Sequence, residues 1–443
     1  MKIQLSDHFD YQKLVRFTLP SIFSMIIGSV YSIVDGFFVS NFVGKTQFTA
    51  LNLIFPFGMI LSAVGNMIGV GGTALVAKTL GQGKKEKAND MFSFFVYVCG
   101  ASGLFFGLTA LLFLEDIALM LGATGELLPY CIEYGRIILL ALTPMMLQYT
   151  FQGFLIAAEK PKISMYITVA AGVTNIVLDA LFVGAFRWGL TGAASATAIS
   201  QCIAGLIPAW LFTRKNSGWN LHLGKATVDL RALATACSNG FSSFLSSISG
   251  SVVGMLFNFQ LMKYAGPDGV AAYGVIMYVE MIFLSASFGY TSGISPVISY
   301  HYGADNRPEL KSLVKKSIVI VFLSSVAMFG LAQVLAQPLT AVFTSYDKAL
   351  MAMTVQAFTA YSWNFIVSGM GMFGSTFFAA LNNGPVAAVL SFLRLVVFQG
   401  GFVLILPAIF GIDGIWITMA VANLASAVTA LAAMAVMRKK YGY

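Results

Sequence analysis

Two polar side chains stand one helical turn apart in an otherwise apolar stretch, VTNIVLDALFVGAF, at residues 173–186. They are Asn175 and Asp179, and their i, i+4 spacing places both on one face of a helix. Placing a charged side chain at the centre of a bilayer costs roughly 2.5–3.5 kcal/mol on insertion scales. A carboxylate at this position therefore indicates a functional site rather than a packing residue.

Two further polar residues lie at the same depth, counted along the apolar run to which each belongs. Asp35 stands about 9 Å, and Asp179 and Thr197 about 10 Å, from the outer ends of their runs at ~1.5 Å per residue. With the amide oxygen of Asn175 they form a hard oxygen set that suits Na⁺, or a proton shared between the acids. A hydrogen-bonded packing cluster is the alternative. We favour an ion or proton coupling site, because two acids without a basic partner rarely serve structure alone.

Two other charges fall inside apolar runs, Glu280 in YVEMIFL and Arg394 in SFLRLVV. Helix rise places Glu280 about 15 Å from the outer end of its run, near the midplane. It suits a cationic substrate or a second coupling proton, and an acid paired with a neighbouring polar group is an equal alternative. Arg394 lies nearer the other side, and we expect it to snorkel to the surface or to pair structurally.

Composition places the whole chain in a membrane. Of its 443 residues, 58% are hydrophobic and 10% charged, whereas soluble domains carry about 25% charged residues. The apolar runs reach the roughly 20 residues that a spanning helix needs. The four cysteines lack paired spacing, the three histidines lie at ends or connectors, and no Walker A pattern occurs. We therefore expect no enzyme activity, no cofactor and no nucleic-acid partner.

Polar and charged breaks divide the sequence into candidate spans, which predict an all-α polytopic membrane protein with twelve transmembrane helices. The spans cover residues 17–40, 49–77, 91–114, 129–157, 163–185, 190–213, 234–262, 270–300, 317–343, 350–381, 386–410 and 413–437. Outside the spans, most lysines and arginines fall on one side, and the other side carries only Lys45, Arg187, Lys263 and Lys348. Basic residues are retained in the cytoplasm, so both termini are predicted to be cytoplasmic.

The second half of the sequence repeats the first at a constant shift of 222 residues. The aligned glycines include Gly44 with Gly266, Gly81 with Gly303, and Gly189 with Gly411. Six spans in each half give both halves one orientation, so the axis that relates them runs along the membrane normal. We predict two pseudo-symmetric six-helix lobes, residues 1–213 and 234–443, joined by a cytoplasmic linker at residues 214–233.

Several segments give the chain a family resemblance over essentially its full length. They are TLPSIFSMIIGSVYSIVDGFFVSNFVG, TLGQGKKEKA, AAEKPK, NIVLDALFV and GLTGAASAT. With these segments the chain resembles the multidrug and toxic compound extrusion (MATE) family of cation-coupled antiporters. The resemblance implies two six-helix lobes around a V-shaped cavity, alternating access between the two sides, and export driven by inward H⁺ or Na⁺.

Within that family the chain is most similar to the DinF-like and MepA-like members, whose ion site lies in the N-terminal lobe. The resemblance implies that Asp35, Asn175, Asp179 and Thr197 form this site, with possible Na⁺ binding, and that Pro20 is the bend in the first helix. It also relates Glu280 to the acid on helix 8 of MepA-like members, which is associated with substrate or coupling. NorM-type members carry acids in helices 7 and 10, and the corresponding spans here have none.

These observations predict a secondary active efflux antiporter that exports amphipathic organic cations in exchange for H⁺ or Na⁺. A flippase for a lipid-linked saccharide or another amphiphile is the alternative, although it would require several cationic residues for phosphate. We expect a monomer embedded in the lipid bilayer of a bacterial or archaeal cell (inner) membrane. Ion binding at the two acids is expected to favour bending at Pro20, which weakens substrate binding in the outward-facing state.

Overall fold

The structure is a computed structural model that describes residues 3–214, 219–344 and 348–443. These residues form helices joined by short turns, and no strand occurs among them. A helix satisfies its backbone hydrogen bonds within one segment, which is what an apolar environment demands of an apolar chain. The predicted all-α class is confirmed.

The first half of the chain folds into helices that are joined mainly by short turns. They are α1 (Tyr11–Phe42), α2 (Lys45–Gly81), α3 (Lys85–Leu112), α4 (Leu114–Met120), α5 (Leu127–Leu140), α6 (Leu142–Ala157), α7 (Pro161–Asp179), the π-helical segment π1 (Ala180–Ala185) and α8 (Gly189–Thr213). Helices α5 and α6 meet at a bend of 48° and together have the length and apolarity of one span.

The second half begins with a helix that contains two arms. Its elements are α9 (Leu230–Gly303), α10 (Arg307–Thr344), α11 (Lys348–Tyr361), α12 (Asn364–Ala380), α13 (Gly384–Phe392), the π-helical segment π2 (Leu393–Gly400) and α14 (Gly401–Tyr441). Gly266 divides α9 with φ 66°, and Gly411 divides α14 with φ 63°.

Glycines with left-handed φ occupy equivalent places in the two halves. Gly44 (φ 114°) separates α1 from α2 as Gly266 separates the arms of α9, and Gly189 (φ 60°) precedes α8 as Gly411 divides α14. Only a residue without Cβ adopts such angles at no steric cost. The repeat seen in the sequence is therefore present in the backbone as well.

The described residues contain nine helices that are long and apolar enough to cross a membrane, or ten if α5 and α6 count as one span. One of them, Gly384–Tyr441, has 58 residues, or about 87 Å at ~1.5 Å per residue, far beyond the ~30 Å of a bilayer core. Its break at Gly411 therefore separates two spans. Consecutive α11 and α12 occupy the predicted span at residues 350–381, and the arrangement is consistent with the twelve spans that the sequence predicts.

Helix α1 starts earlier than the predicted span. Asp10 is its N-cap, and the Asp10 carboxylate accepts a hydrogen bond of 2.7 Å from the backbone N–H of Lys13. Pro20 is therefore an interior residue that leaves one backbone carbonyl without its helical donor. In this structure α1 remains a single helix through Pro20, so a bend there stays a prediction.

Each half buries its own hydrophobic core. In the first half Phe92, Phe154 and Phe212 form the aromatic centre, with the Phe92 and Phe212 ring centroids 4.7 Å apart. In the second half Phe373 and Phe377 lie in one core, and a second core surrounds Phe257, Phe358 and Tyr361. The core around Phe373 and Phe377 also includes Phe17 of α1 and Ile156 of α6, so the two halves share apolar packing where the bundles meet.

The two bundles touch at the end of the molecule that carries both chain termini. There α2 and the first arm of α9 approach so closely that a Cβ on Gly71 would overlap the carbonyl of Ala236, and a Cβ on Gly240 would overlap that of Met67. Small residues allow helix backbones this close an approach within membranes. Contact at this end leaves the bundles free to separate at the opposite end.

A segment before α1 lies across both bundles at the same end. The Leu5 N–H donates to Oε1 of Glu159 over 2.9 Å, and the Phe9 N–H donates to Oε1 of Glu309 over 2.9 Å. His8 Nδ1 lies 2.6 Å from Oε2 of Glu309. The side chains of Leu5 and Phe9 are fully buried. We call residues 3–10 the N-terminal strap.

Candidate functional site

Asp35 on α1 and Asp179 at the end of α7 face one another closely enough for a hydrogen bond between their carboxyl groups. Asp179 is fully buried. Oδ1 of Asp35 and both carboxyl oxygens of Asp179 are buried without a conventional donor. Two carboxylates repel at this range, so a shared proton or a bound cation must hold them together.

Asn175 lies one helical turn before Asp179 on α7 and is 1% exposed. Its Oδ1 is also buried and accepts no hydrogen bond. Orphaned oxygens of this kind are costly in an apolar interior unless a proton or a small cation satisfies them. The described residues contain no group of three His, Cys, Asp or Glu side chains that would hold a metal. Two carboxylates and an amide oxygen are hard ligands of the kind that a proton or a small cation satisfies.

The structure does not bring Thr197 to the acids in the same way. Thr197 is half-buried on α8, and its hydroxyl forms no hydrogen bond to Asp35 or Asp179 in the described part of the chain. One turn later on the same helix, Gln201 is 8% exposed and has an Oε1 without a donor. Of the four residues predicted for the site, the structure thus joins Asp35 and Asp179, with Asn175 on the adjoining turn.

Polar residues that the sequence reasoning missed surround the acids. The Tyr31 hydroxyl lies beside the amides of Gln148 and Gln201 and near Asp35, while the buried Tyr134 lies close to both acids. Tyr31 precedes Asp35 by four residues, so helical spacing alone would have identified it. Within residues 3–214, 219–344 and 348–443, no basic side chain forms an ion pair with either acid.

Glu280 is half-buried in the second bundle and held by neutral donors. The Tyr361 hydroxyl donates to Oε2 over 2.7 Å, and Nδ2 of Asn364 donates to Oε1 over 3.1 Å. Asn423 donates in turn to Oδ1 of Asn364 over 2.5 Å, and Gln399 donates to Asn423 over 3.2 Å. The alternative of an acid paired with neighbouring polar groups therefore describes its geometry. A role of Glu280 in transport stays a prediction.

The repeat relates the two acidic regions. Phe257, which aligns with Asp35, stacks on Tyr273 with centroids 5.0 Å apart and meets Tyr361 edge-on at 6.5 Å. Tyr361 is the donor to Glu280. The second bundle thus has a phenyl ring where the first has an acid. Its own acid, Glu280, lies on the second arm of α9 and accepts from Tyr361, which packs against the ring of Phe257.

Of the two alternatives expected for Arg394, snorkelling to the surface or structural pairing, the geometry corresponds to pairing with a polar neighbour. The Arg394 side chain is 8% exposed, and Nη2 donates to the hydroxyl of Ser246 over 3.2 Å, while Nε has no partner. The residue lies at the start of π2, packed among α9, α12 and α14. A serine, rather than an acid, is its described partner.

A cavity of about 60 Å³ lies between the bundles. Its wall includes the hydroxyls of Ser21 and Ser24 on α1, Thr73 on α2, Ser243 on α9 and Thr376 on α12. A space of this size and polarity holds several waters. It connects the two bundles through uncharged polar groups.

Two repeated helical bundles, each with an acid inside it and with a cavity between them, are the architecture of many membrane transporters. Residues 20–181 and residues 242–402 both match the family model described as MatE. The chain belongs to the MatE family. The resemblance predicted from the sequence is confirmed, and so is the expectation that the protein is a membrane transporter rather than an enzyme.

Known proteins resemble the chain over nearly its whole length. The multidrug export protein MepA of Staphylococcus saprophyticus is 26% identical over 439 residues, which cover 96% of this chain and 93% of that protein. The crystal structure of MATE in complex with MaL6 matches with a TM-score of 0.92 and 23% identity, covering 98% of each chain. An outward-facing multidrug resistance MATE transporter of the MOP superfamily matches with a TM-score of 0.92 and 24% identity, covering 98% of this chain and 97% of that one. The structural matches support the two-bundle fold.

Proposed function

We propose that the protein is a multidrug efflux antiporter that exports amphipathic organic cations in exchange for H⁺ or Na⁺ by alternating access. The observation that carries the proposal is the facing pair Asp35 and Asp179, with buried carboxyl oxygens that lack donors. Such a pair binds a proton or small cation and releases it when water reaches the site. The name of its relative, a multidrug export protein, supports the substrate class.

Coupling requires an ion that binds one conformation more tightly than the other. Asp35 is on α1 and Asp179 is on α7, so an ion between them draws the two helices together. Loss of the ion leaves two like charges that push α1 away from α7. Ion binding is therefore proposed to favour bending of α1 at Pro20, where the missing backbone N–H lowers the cost of a bend, and loss of the ion lets α1 straighten. Asn175 supplies a further oxygen, and Thr197 is proposed to join the set when α1 moves.

Residues 1–213 and 234–443 are proposed to move as two lobes about the linker at residues 214–233. The two family matches begin 222 residues apart, at residues 20 and 242, which is the shift of the sequence repeat. Contacts between the bundles at the basic end favour closure on that side. With the basic end in the cytoplasm, the arrangement corresponds to an outward-facing monomer in a bacterial or archaeal cell membrane.

Dye efflux from proteoliposomes under separately imposed Na⁺ and pH gradients tests the proposal. Asp35→Asn and Asp179→Asn should each abolish gradient-driven efflux while leaving the elution profile of the purified protein unchanged. Asp116→Asn, at an exposed position on α4, is the matched control and should retain efflux. Normal gradient-driven efflux by both site variants would contradict the proposal, and the gradient that drives the wild type identifies the coupling ion.

A further inference from the structure

Arg394 is a buried cation without a counter-charge. Nη2 has one long hydrogen bond to Ser246, Nε has none, and the described residues offer no carboxylate in an ion pair with the guanidinium. A guanidinium has five donors in a planar fork that matches a carboxylate or phosphate. Burying such a group is strongly unfavourable unless an anion completes it. The unmet donors point to a ligand.

Side chains around Arg394 make room for it without neutralising it. A Cβ at Gly371 on α12 would lie 3.5 Å from Cδ of Arg394 and would overlap the hydroxyl of Ser426 on α14. Ser391, one helical turn before Arg394, is fully buried and its hydroxyl has no partner. Hydroxyls next to a guanidinium add donors for an anion and supply no negative charge of their own.

Arg394 lies within one or two helical turns of residues that line the central cavity. Ser246, which accepts from the guanidinium, lies one turn beyond Ser243 on α9, and Ser243 lines the cavity. Gly371 lies five residues before Thr376, which lines the cavity from α12. At ~1.5 Å per residue these offsets are about 5 and 8 Å along the helices. A ligand in the cavity therefore reaches the guanidinium by opening one or two turns of contact.

Glu280 and Arg394 belong to one polar column in the second bundle. Asn364, which donates to Glu280, lies seven residues before Gly371 on α12, or about 10 Å along the axis. On α14, Asn423 lies one turn before Ser426 and links Asn364 to Gln399 of π2. The neighbour of the acid and the neighbour of the guanidinium are thus about two helical turns apart on α12, with amides and hydroxyls in the interval.

We propose that Arg394 binds the carboxylate of transported molecules whose cationic group is directed to Glu280. Arg394 is then the residue by which this protein distinguishes a substrate with a free carboxylate from the same substrate without one. This inference rests on the proposed export function and narrows its substrate class. A carboxylate on the guanidinium fork satisfies the free Nε donor with a charge-assisted hydrogen bond, and an ester at the same position has lost the negative charge.

Two dyes that differ only in that group test the inference. Tetramethylrhodamine carries a cationic ring system and a free carboxylate, whereas tetramethylrhodamine methyl ester carries the same ring system with the carboxylate blocked. Fluorescence anisotropy measures their binding to purified full-length protein in detergent. Arg394→Gln should weaken binding of the acid dye about tenfold, which is the loss expected for hydrogen bonds to a charged group. The affinity for the ester dye should change less than about twofold. Glu280→Gln should weaken both dyes.

Arg394→Lys separates a binding role from a folding role. Lysine keeps the positive charge but lacks the planar fork of donors. Arg394→Lys should therefore weaken binding of the acid dye, relative to binding of the ester dye, by a factor between those of the wild type and Arg394→Gln. This comparison remains available if the glutamine variant fails to fold. Arg136→Gln removes the same charge at an exposed position on α5 and should leave both dyes unchanged. Equal losses for the two dyes in the Arg394 variants, or wild-type binding of the ester alone, would overturn the inference. Because binding is measured without an ion gradient, a failure of antiport is distinguished from a failure of this site.

Discussion

Gly81 on α2 and Gly303 on α9 make reciprocal contacts across the two bundles. A Cβ on Gly81 would overlap the carbonyl of Tyr300, and a Cβ on Gly303 would overlap the carbonyl of Lys78. The shift of 222 that relates Gly81 to Gly303 also relates Lys78 to Tyr300. One pseudo-two-fold axis therefore relates the two contacts. The close approach of the helices at this end requires that neither Gly81 nor Gly303 carries a Cβ.

Gly81→Ala and Gly303→Ala should each open the basic end. The added methyl overlaps backbone that cannot turn aside, and overpacking of this kind costs about 1–3 kcal/mol. The ratio of closed to open protein should fall roughly 5- to 150-fold. Spin labels on the exposed turns of the two bundles, measured by double electron–electron resonance, report the distance distribution.

Gly250→Ala and Gly254→Ala are the matched controls for this experiment. Both positions are helical glycines on α9 with open space where a Cβ would lie, so they share the gain in helix propensity without the overlap. Their distance distributions should match the wild type. An unchanged distribution in Gly81→Ala and Gly303→Ala would refute the closed-end interpretation.

Asn175→Ala should weaken ion coupling without removing it. The change deletes a buried oxygen without a donor, one turn from Asp179, and leaves both acids in place. Loss of a residue of this kind at an ion site costs about 10- to 100-fold in affinity. The ion concentration that gives half-maximal dye efflux should rise accordingly, with the maximal rate retained. Asn89→Ala, at a half-buried position on α3 outside the site, provides the comparison, and identical ion dependence in both variants would count against a role for Asn175.

Tyr361→Phe should destabilise the second bundle by about 1.5–3 kcal/mol, the usual contribution of a hydrogen bond to a charged group. The hydroxyl donates to Glu280 over 2.7 Å, and its loss leaves that carboxyl oxygen without this donor. Thermal unfolding in detergent measures the effect. Tyr166→Phe removes a hydroxyl from a ring that is 61% exposed and should leave the midpoint unchanged. If Tyr361→Phe also leaves it unchanged, the bond does not stabilise the bundle.

Glu309→Gln should loosen the N-terminal strap. Glu309 is 7% exposed and accepts from the Phe9 N–H, with His8 beside its other oxygen. An amide keeps only one acceptor oxygen and loses the charge, so the amides of residues 5–9 should exchange hydrogen at least about tenfold faster. Mass spectrometry of hydrogen exchange reads this directly. Glu126→Gln, at an exposed position before α5, is the control and should leave hydrogen exchange in the strap unchanged. If Glu309→Gln also leaves it unchanged, the buried side chains of Leu5 and Phe9 hold the strap without Glu309.

Helical periodicity and apolar length identified most of the fold, because both are properties of a single segment. Helix rise was sufficient to predict that Asp35 and Asp179 lie at the same depth in the membrane, and the i, i+4 spacing placed Asn175 on the same helix face as Asp179. The same spacing would have added Tyr31 and Gln201, each one turn from a predicted residue. No local pattern predicted Gln148 or Tyr134, because these residues reach the acids from other helices.

The sequence by itself determined the membrane class, the repeat and the positions of the buried charges along each helix, since hydropathy and helix rise act within one segment. Only the tertiary structure decided which charges meet. Asp35 and Asp179 come together because α1 packs on α7, whereas Glu280 receives its donors from α11 and α12 and Arg394 receives a serine from α9. The rotation and approach of one helix against another depend on all the side chains between them, and no single stretch of sequence contains that information.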